Sequence, residues 1–319
     1  MNSILRLLVI GLLLIPAPSA EAEQFNATEA LSLGPGAGPG ALSPFFDPAL
    51  IERFAVDSQG RFLFLDYFDG PGAVRIYGSD GRHLMRIPVL QTGDRPWPAH
   101  TYRLFVDEED NFYIEMGAYR RIRKFDRDGR RVRDFDTAWG PPRYVDRRGH
   151  IYLVSATKSK IRELDPEGRT LREAQAQHAL DIVVDMQGQI YFRRGPAPNG
   201  IVVAPELDPF EGGLFRDRKG YYYWNASQEG VCRDFHRNGA DRQPLETFSH
   251  VDLMRRIGYP YEAVVYLKGR GTNKPSTTGG QFCTLGWYLS SKDETYALVA
   301  SDSVNRSQPW LKVFRVQVR

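Results

Sequence analysis

A short phrase recurs along this chain: an apolar run, an Asp, two variable residues, a Gly or its substitute, then aromatic and branched residues. It reads FAVDSQGRFLFL from Phe54, LFVDEEDNFYI from Leu104, YVDRRGHIYLV from Tyr144, VVDMQGQIYF from Val183 and LFRDRKGYYYW from Leu214. A degenerate copy, YLSSKDETYALV, starts at Tyr288. Repetition on this scale means one supersecondary unit used many times, and its strand–turn–strand chemistry makes that unit a small antiparallel sheet. The first copy predicts strands over Arg53–Asp57, Phe62–Asp66, Val74–Tyr77 and His83–Val89, with turns at Ser58-Gln59-Gly60 and Ser79-Asp80-Gly81. Each turn has a local cause, because the Asp side chain accepts backbone N–H groups ahead of it and Gly supplies a positive φ at the exit.

A lone sheet with two apolar faces is not stable in water, whereas several packed radially bury both faces of each. The recurring Asp stands at 57, 107, 146, 185 and 217, with Ser290 as its counterpart, so six first strands are expected. The last interval is about twice the others, which makes Ala240–Gly286 either an insertion or a worn seventh blade. Ser249–Ile257 has the pattern of a short capped helix and Gly269–Gly280 that of a polar loop, which favours the insertion. The fold class expected is all-β: a six-bladed β-propeller of four-stranded antiparallel blades over residues 48–319, seven blades being the alternative, with a small insertion at about 240–286. The final copy offers only Trp287–Ser290, Thr295–Ala300 and Trp310–Val318, so part of Gln24–Leu33 is expected to supply its missing edge strand.

The phrase V-D-x-x-G-x-[IF]-Y, followed some 15 residues later by an apolar strand and D-x-x-G, resembles the NHL-type six-bladed β-propellers over about Phe54–Val318. Departures are Asp110 in place of the turn Gly in the second copy, Ser290 in place of Asp in the sixth, and the long insertion. The resemblance implies the fold and no particular activity.

Ahead of the repeats, residues 1–22 have the order of a secretory signal peptide: Arg6, an apolar run from Leu7 to Ile15, Pro16 and Pro18, then Ala20-Glu21-Ala22 as a small-x-small cleavage site. An uncleaved anchor is the alternative, but the run falls short of the roughly 20 apolar residues that span a bilayer. The expectation is a secreted or periplasmic monomer with no transmembrane span after cleavage. Residues 23–47 form an N-terminal segment with the linker Gly34–Gly40, whose alternating Gly and Pro suit neither helix nor central strand. In an oxidising compartment Cys232 and Cys283, the only two cysteines, are candidates for a disulfide closing a loop of about 50 residues; two separate thiols are the alternative.

Candidate functional residues are fewer. The formal net charge of +3 is too small to imply nucleic acid. The densest basic run, Arg120–Arg133, carries Arg120, Arg121, Arg123, Lys124, Arg130 and Arg131, and suits an acidic protein, a polyanionic glycan or a headgroup. A solvated edge that discourages aggregation is the plainer reading. Trp97 and His100, on a Pro-rich loop between blades, are either ordinary packing residues or aromatic surface for ligand or peptide capture. The repeated aspartates either cap their own turns or form a rim ring for a cation. The six histidines show no metal-ligand spacing, and no nucleophile–base–orienter set is visible. The expectation is a binding or scaffold module for a protein, peptide or glycan, with no cofactor implied. A propeller enzyme of the gluconolactonase or lyase kind, holding a divalent metal at a central channel, is the alternative, and a purely structural envelope role is a third.

Overall fold

The computed structural model describes residues 25–33, 53–66, 72–90, 103–116, 120–140, 142–155, 160–175, 182–184, 188, 190–192, 202–203, 214–227, 233–241, 244–249, 252–253, 256–257, 282–290, 292–301 and 311–318. Residues 1–22, where a signal peptide is expected, residues 34–40, Asp185 and residues 269–280 lie outside them. Strand β1 (Phe25–Leu33) precedes the first sheet, which is β2 to β5 (Phe54–Val56, Phe62–Asp66, Ala73–Tyr77, His83–Pro88). The second is β6 to β9 (Leu104–Val106, Phe112–Met116, Arg121–Phe125, Arg131–Asp136), and the third is β10 to β13 (Pro142–Val145, Ile151–Ser155, Lys160–Leu164, Thr170–Gln175). The fourth contains β14 to β16 (Ile182–Val184, Ile190–Phe192, Val202–Val203), and the fifth β17 to β20 (Leu214–Arg216, Tyr222–Ser227, Arg233–Asn238, Pro244–Phe248). The sixth joins β21 to β23 (Phe282–Leu289, Thr295–Ser301, Leu311–Val318) to β1 in the order β1-β23-β22-β21.

The protein is therefore all-β, and five of its six described sheets have four antiparallel strands. Two details differ from the sequence reading. In the fourth sheet β16 runs parallel to β15, so the described part is a three-stranded mixed sheet rather than a four-stranded antiparallel one. The boundary near residue 240 also moves, because Pro244–Phe248 pairs with β19 as the fourth strand of the fifth sheet, and the described residues 249, 252–253 and 256–257 follow it. Within that stretch Leu253 N–H bonds to the Ser249 carbonyl and Ile257 N–H to that of Leu253, which is helical spacing. No helix of the described residues is long and apolar enough to cross a membrane.

Burial follows from the repeat. In the first sheet β2, β3 and β4 are buried at every position, whereas outermost β5 alternates towards solvent. The inner strands must then have protein on both faces. Phe54, Phe62, Phe64 and Tyr77 of the first sheet share one core with Tyr296, Leu298 and Val313 of the sixth, while Leu63, Val74 and Ile76 share another with Phe112, Ile114 and Phe125 of the second. Tyr113, Ile122 and Phe135 continue the series onto Ile151 and Leu153 of the third sheet. Phe235 of the fifth stacks on Trp287 of the sixth with ring centroids 5.7 Å apart and planes 7° apart. Strands β10 and β14 meet between the third and fourth sheets. The neighbours thus run fifth, sixth, first, second, third, fourth.

The series is strongly curved. Packed sheets stand about 10 Å apart, so in a straight stack the third and sixth would be separated by roughly 30 Å. Instead Arg147, in the turn between β10 and β11, donates from Nη2 to the Ser290 carbonyl at 3.0 Å and to Asp293 Oδ1 at 3.2 Å, in the turn between β21 and β22. First strands and their turns therefore face a common centre, and Tyr288 on β21 packs against three of the inter-sheet cores at once.

Edge strand β1 runs antiparallel to β23 from Phe25 opposite Val318 to Leu33 opposite Leu311, with an irregularity between Glu29 and Leu31. Its inward residues enter the cores on both sides, Phe25 towards the fifth sheet and Leu31 and Leu33 towards the first. Arg256 ties the strand down by donating to the Phe25 carbonyl at 2.8 Å with its guanidinium 4.4 Å above the Phe25 ring. Leu31→Ala should cost about 2 to 5 kcal/mol in chemical denaturation, as expected for an emptied core site. Val132→Ala, on an outer strand and 55% exposed, should change stability by no more than about 0.5 kcal/mol.

Candidate functional site

Except in the fourth sheet, where Asp185 lies outside the described residues, the turn after each first strand is built around a buried acceptor. Asp57 Oδ1 accepts the N–H groups of Gln59 and Arg61, both at 2.9 Å, and Asp107 Oδ1 accepts those of Glu109 and Asn111 at 3.0 and 2.9 Å. Asp146 does the same for Arg148 and His150, and Asp217 for Lys219 and Tyr221. Ser290 substitutes its hydroxyl oxygen, accepting from Lys292 and Glu294 at 3.2 Å. The second carboxylate oxygen takes a side chain six residues on: Tyr113 donates to Asp107 at 2.9 Å, Tyr152 to Asp146 at 3.1 Å and Tyr223 to Asp217 at 3.1 Å. In the first sheet, where Leu63 stands in the Tyr place, Arg61 Nε serves Asp57 instead. Burial pushes the Asp57 and Asp107 carboxyls up, against these hydrogen bonds, and burial beside the aspartates pushes the Tyr113, Tyr152 and Tyr223 phenols well above their usual range. These aspartates are turn caps.

The fourth turn position is where sheets touch. A Cβ on Gly188, at φ +78, would stand 2.2 Å from the Tyr152 hydroxyl and 2.4 Å from Asp146 Oδ2; one on Gly149 would stand 2.5 Å from the Tyr113 hydroxyl. Each glycine presses on the Asp–Tyr pair of the preceding sheet. Two copies replace it with an aspartate held at positive φ, Asp110 at 65° and Asp293 at 62°. Both carboxylates cross to the preceding sheet: Asp110 accepts from Ser58 N–H and Ser58 Oγ, each at 2.7 Å, and Asp293 Oδ2 accepts from Arg218 N–H at 3.2 Å. At the first of these junctions Leu63 brings no hydroxyl. At the second, Asp293, Glu294 and Arg315 face Asp217, Lys219, Tyr223 and Arg237 across a cleft of about 420 Å³.

A second polar cluster lies in the third sheet. His150 Nδ1 is 2.7 Å from Glu163 Oε1, Tyr152 Oη is 3.2 Å from the same oxygen, and Arg172 Nε is 2.5 Å from Glu163 Oε2. Burial alone would raise the Glu163 carboxyl, but hydrogen bonds from His150 and Arg172 outweigh it and hold the group below its usual value of 4.5. Among the described residues no group of three His, Cys, Asp or Glu side chains is placed to hold a metal ion.

The basic run divides along the β8–β9 hairpin. Arg123 is buried, its Nε and Nη2 each 3.0 Å from Asp134 and its Nη1 on the Val89 carbonyl. Exposed Arg131 also binds Asp134, at 2.8 Å, and Arg121 stands 3.7 Å from it. Asp134 sits opposite Arg123 in the register, so it gathers the cations on that face. Half-buried Lys124 lies 5.1 Å above the Tyr113 ring, and Arg133 donates to the Glu167 carbonyl. Arg120, Arg127 and Arg130 are exposed, and their guanidinium groups have no partner among the described residues. Trp97, His100 and Cys232 lie outside the described residues, and Cys283 stands opposite Ala300 on β21. Sequence reasoning missed the Asp–Tyr pairing, although Tyr recurs six residues after the turn acceptor in every copy but the first. Nothing in the repeat marked Arg147, Asp293 or Glu163.

No family model matches the chain, and no curated protein matches it. Solved structures do. Virginiamycin B lyase from Staphylococcus aureus is similar at 9% identity over 93% of this chain and 100% of that one, with a TM-score of 0.47. Glutaminyl cyclase from Myxococcus xanthus is similar at 12% identity over 93% and 98%, TM-score 0.42. A DUF4221 family member from Bacteroides vulgatus is similar at 8% identity over 94% and 100%, TM-score 0.45. At these values none of them bears on what this chain does.

Asp110→Gly should relieve a left-handed backbone worth about 1 to 2 kcal/mol. It also deletes two charge-assisted hydrogen bonds to Ser58, each worth roughly 1.5 to 3 kcal/mol, so the variant should be less stable. A double-mutant cycle with Ser58→Ala should return a coupling of about 1 kcal/mol or more in urea denaturation. For Glu163 the sign follows from a depressed carboxyl: its contribution is full above the unfolded value of 4.5 and is lost as pH falls through the folded value. Glu163→Gln should therefore cost stability near neutral pH, by about 2 kcal/mol, with the gap to wild type closing in melts taken at progressively acidic pH.

Proposed function

We propose that this chain is an exported, NHL-type six-bladed β-propeller that acts as a binding module for an acidic protein or peptide, held against the β8–β9 hairpin. The curvature that brings Arg147 to Ser290 and Asp293 supports a closed ring of six blades. A disulfide between Cys232 and Cys283 belongs to the same proposal, as the pairing expected of an exported chain. The observation that carries the binding reading is the set of three exposed guanidinium groups without partners among the described residues, Arg120, Arg127 and Arg130, on the hairpin formed by the densest basic run. Val132, 55% exposed between Arg131 and Arg133, adds an apolar anchor to the charge, a mixture that suits a polypeptide. Electrostatic capture of this kind weakens as salt rises.

A fluorescein-labelled oligoglutamate peptide, followed by anisotropy, tests the site on the full chain. Wild type should bind at low ionic strength and release as salt is added. The variant carrying Arg120→Gln, Arg127→Gln and Arg130→Gln should lose about tenfold or more in affinity while melting at the wild-type temperature. Equal affinity for the two proteins would remove the hairpin from the site.

A further inference from the structure

We propose that the cleft between the fifth and sixth sheets is a second, separate binding site, one that takes a ligand bearing a single carboxylate. Its volume of about 420 Å³ falls within the 300 to 1,000 Å³ typical of small-molecule sites. The wall carries three acidic and three basic side chains. The acids are already committed within the protein. Asp217 accepts two backbone N–H groups and the Tyr223 hydroxyl, Asp293 accepts from Arg147 and from Arg218 N–H, and Glu294 accepts from Arg315 and from the Tyr296 hydroxyl.

The cations are less fully used: Arg315 is taken by Glu294, but Lys219 and Arg237 keep unused donors. The Lys219 ammonium is exposed and has no partner among the described residues. Arg237 uses Nη1 on Glu246 at 3.0 Å, and its guanidinium lies 4.5 Å above the Tyr221 ring, but its buried Nε has no hydrogen-bond partner among the described residues. A buried donor without an acceptor costs about 1 to 3 kcal/mol, a penalty removed if the side chain shifts to meet a ligand oxygen. The cleft therefore keeps charged donors on Lys219 and Arg237 beside carboxylates that are already engaged, which selects an anionic, acceptor-rich ligand. Because the acidic and basic groups of the wall balance, a monoanion meets little net repulsion, whereas a phosphate dianion brings a second charge against three fixed carboxylates. A carboxylate is the group that fits, whether it comes from a peptide or from a sugar acid.

Isothermal titration calorimetry on the full chain, at low ionic strength, tests this with three probes: the dipeptide Ala-Ala, galacturonic acid and inorganic phosphate. At least one of the two carboxylate probes should bind, and which one does separates a peptide from a sugar-acid ligand. Lys219→Ala should weaken that probe at least tenfold and Lys219→Arg should restore most of the loss; the exposed side chain makes unfolding no explanation, and matching melting temperatures would verify it. The triple hairpin variant should bind the probe as wild type does, so this site and the hairpin fail or stand independently. Heat from phosphate alone, no heat from either carboxylate, or equal affinity in Lys219→Ala would each overturn the proposal.

Discussion

Everything in this architecture depends on sheets that are apolar on both faces. Strands β2, β3 and β4 have no polar side to turn towards water, and those of the later copies repeat the pattern. Such a sheet must be covered on both faces, as the first is by the sixth and the second, and its right-handed twist turns each neighbour slightly relative to the last. The result is a curved series in which first strands converge and outer strands spread apart. Outer strands consequently alternate and carry the charges, which is why β9 can present arginines while Phe135 on the same strand stays in the core.

Convergence creates a second requirement at the centre. First-strand turns crowd together, and backbone groups there lose access to water. The buried aspartates meet this by accepting the turn's own amides, so that each tip is satisfied before it meets its neighbour. The fourth turn residue then sets how sheets join. Gly149 and Gly188 allow contact with the preceding Asp–Tyr pair, whereas Asp110 and Asp293 accept backbone strain to reach across. The same substitution produces different outcomes by context: beside Leu63 it gives a tight clamp, and beside Tyr223 it borders an open cleft.

The basic run illustrates how a linear charge pattern is sorted by a pleat. Arg123 and Arg120 are three residues apart in one run, yet one is buried on Asp134 and the other faces solvent with no partner among the described residues. Partnership, more than charge, decides what remains for a ligand. That rule left Arg120, Arg127 and Arg130 on the hairpin and Lys219 in the cleft.

Local chemistry determined much from the sequence alone. The Asp-x-x-Gly phrase specified the turns, the apolar runs specified strands such as Phe62–Asp66, and the shortage of strands in the last copy required an edge strand from elsewhere, a place that β1 fills. These features depend on residues a few positions apart, which a repeat displays directly. The boundary at Pro244–Phe248 and the parallel β16 escaped, because pairing at a sheet's outer edge is decided by the return path of the chain. Only the tertiary structure could place Arg147 on Ser290, bury Arg123, join His150 to Glu163 or open the cleft beside Lys219. Arg147 and Ser290 are 143 residues apart in the chain, and no local pattern encodes how far a series of sheets bends before its members meet.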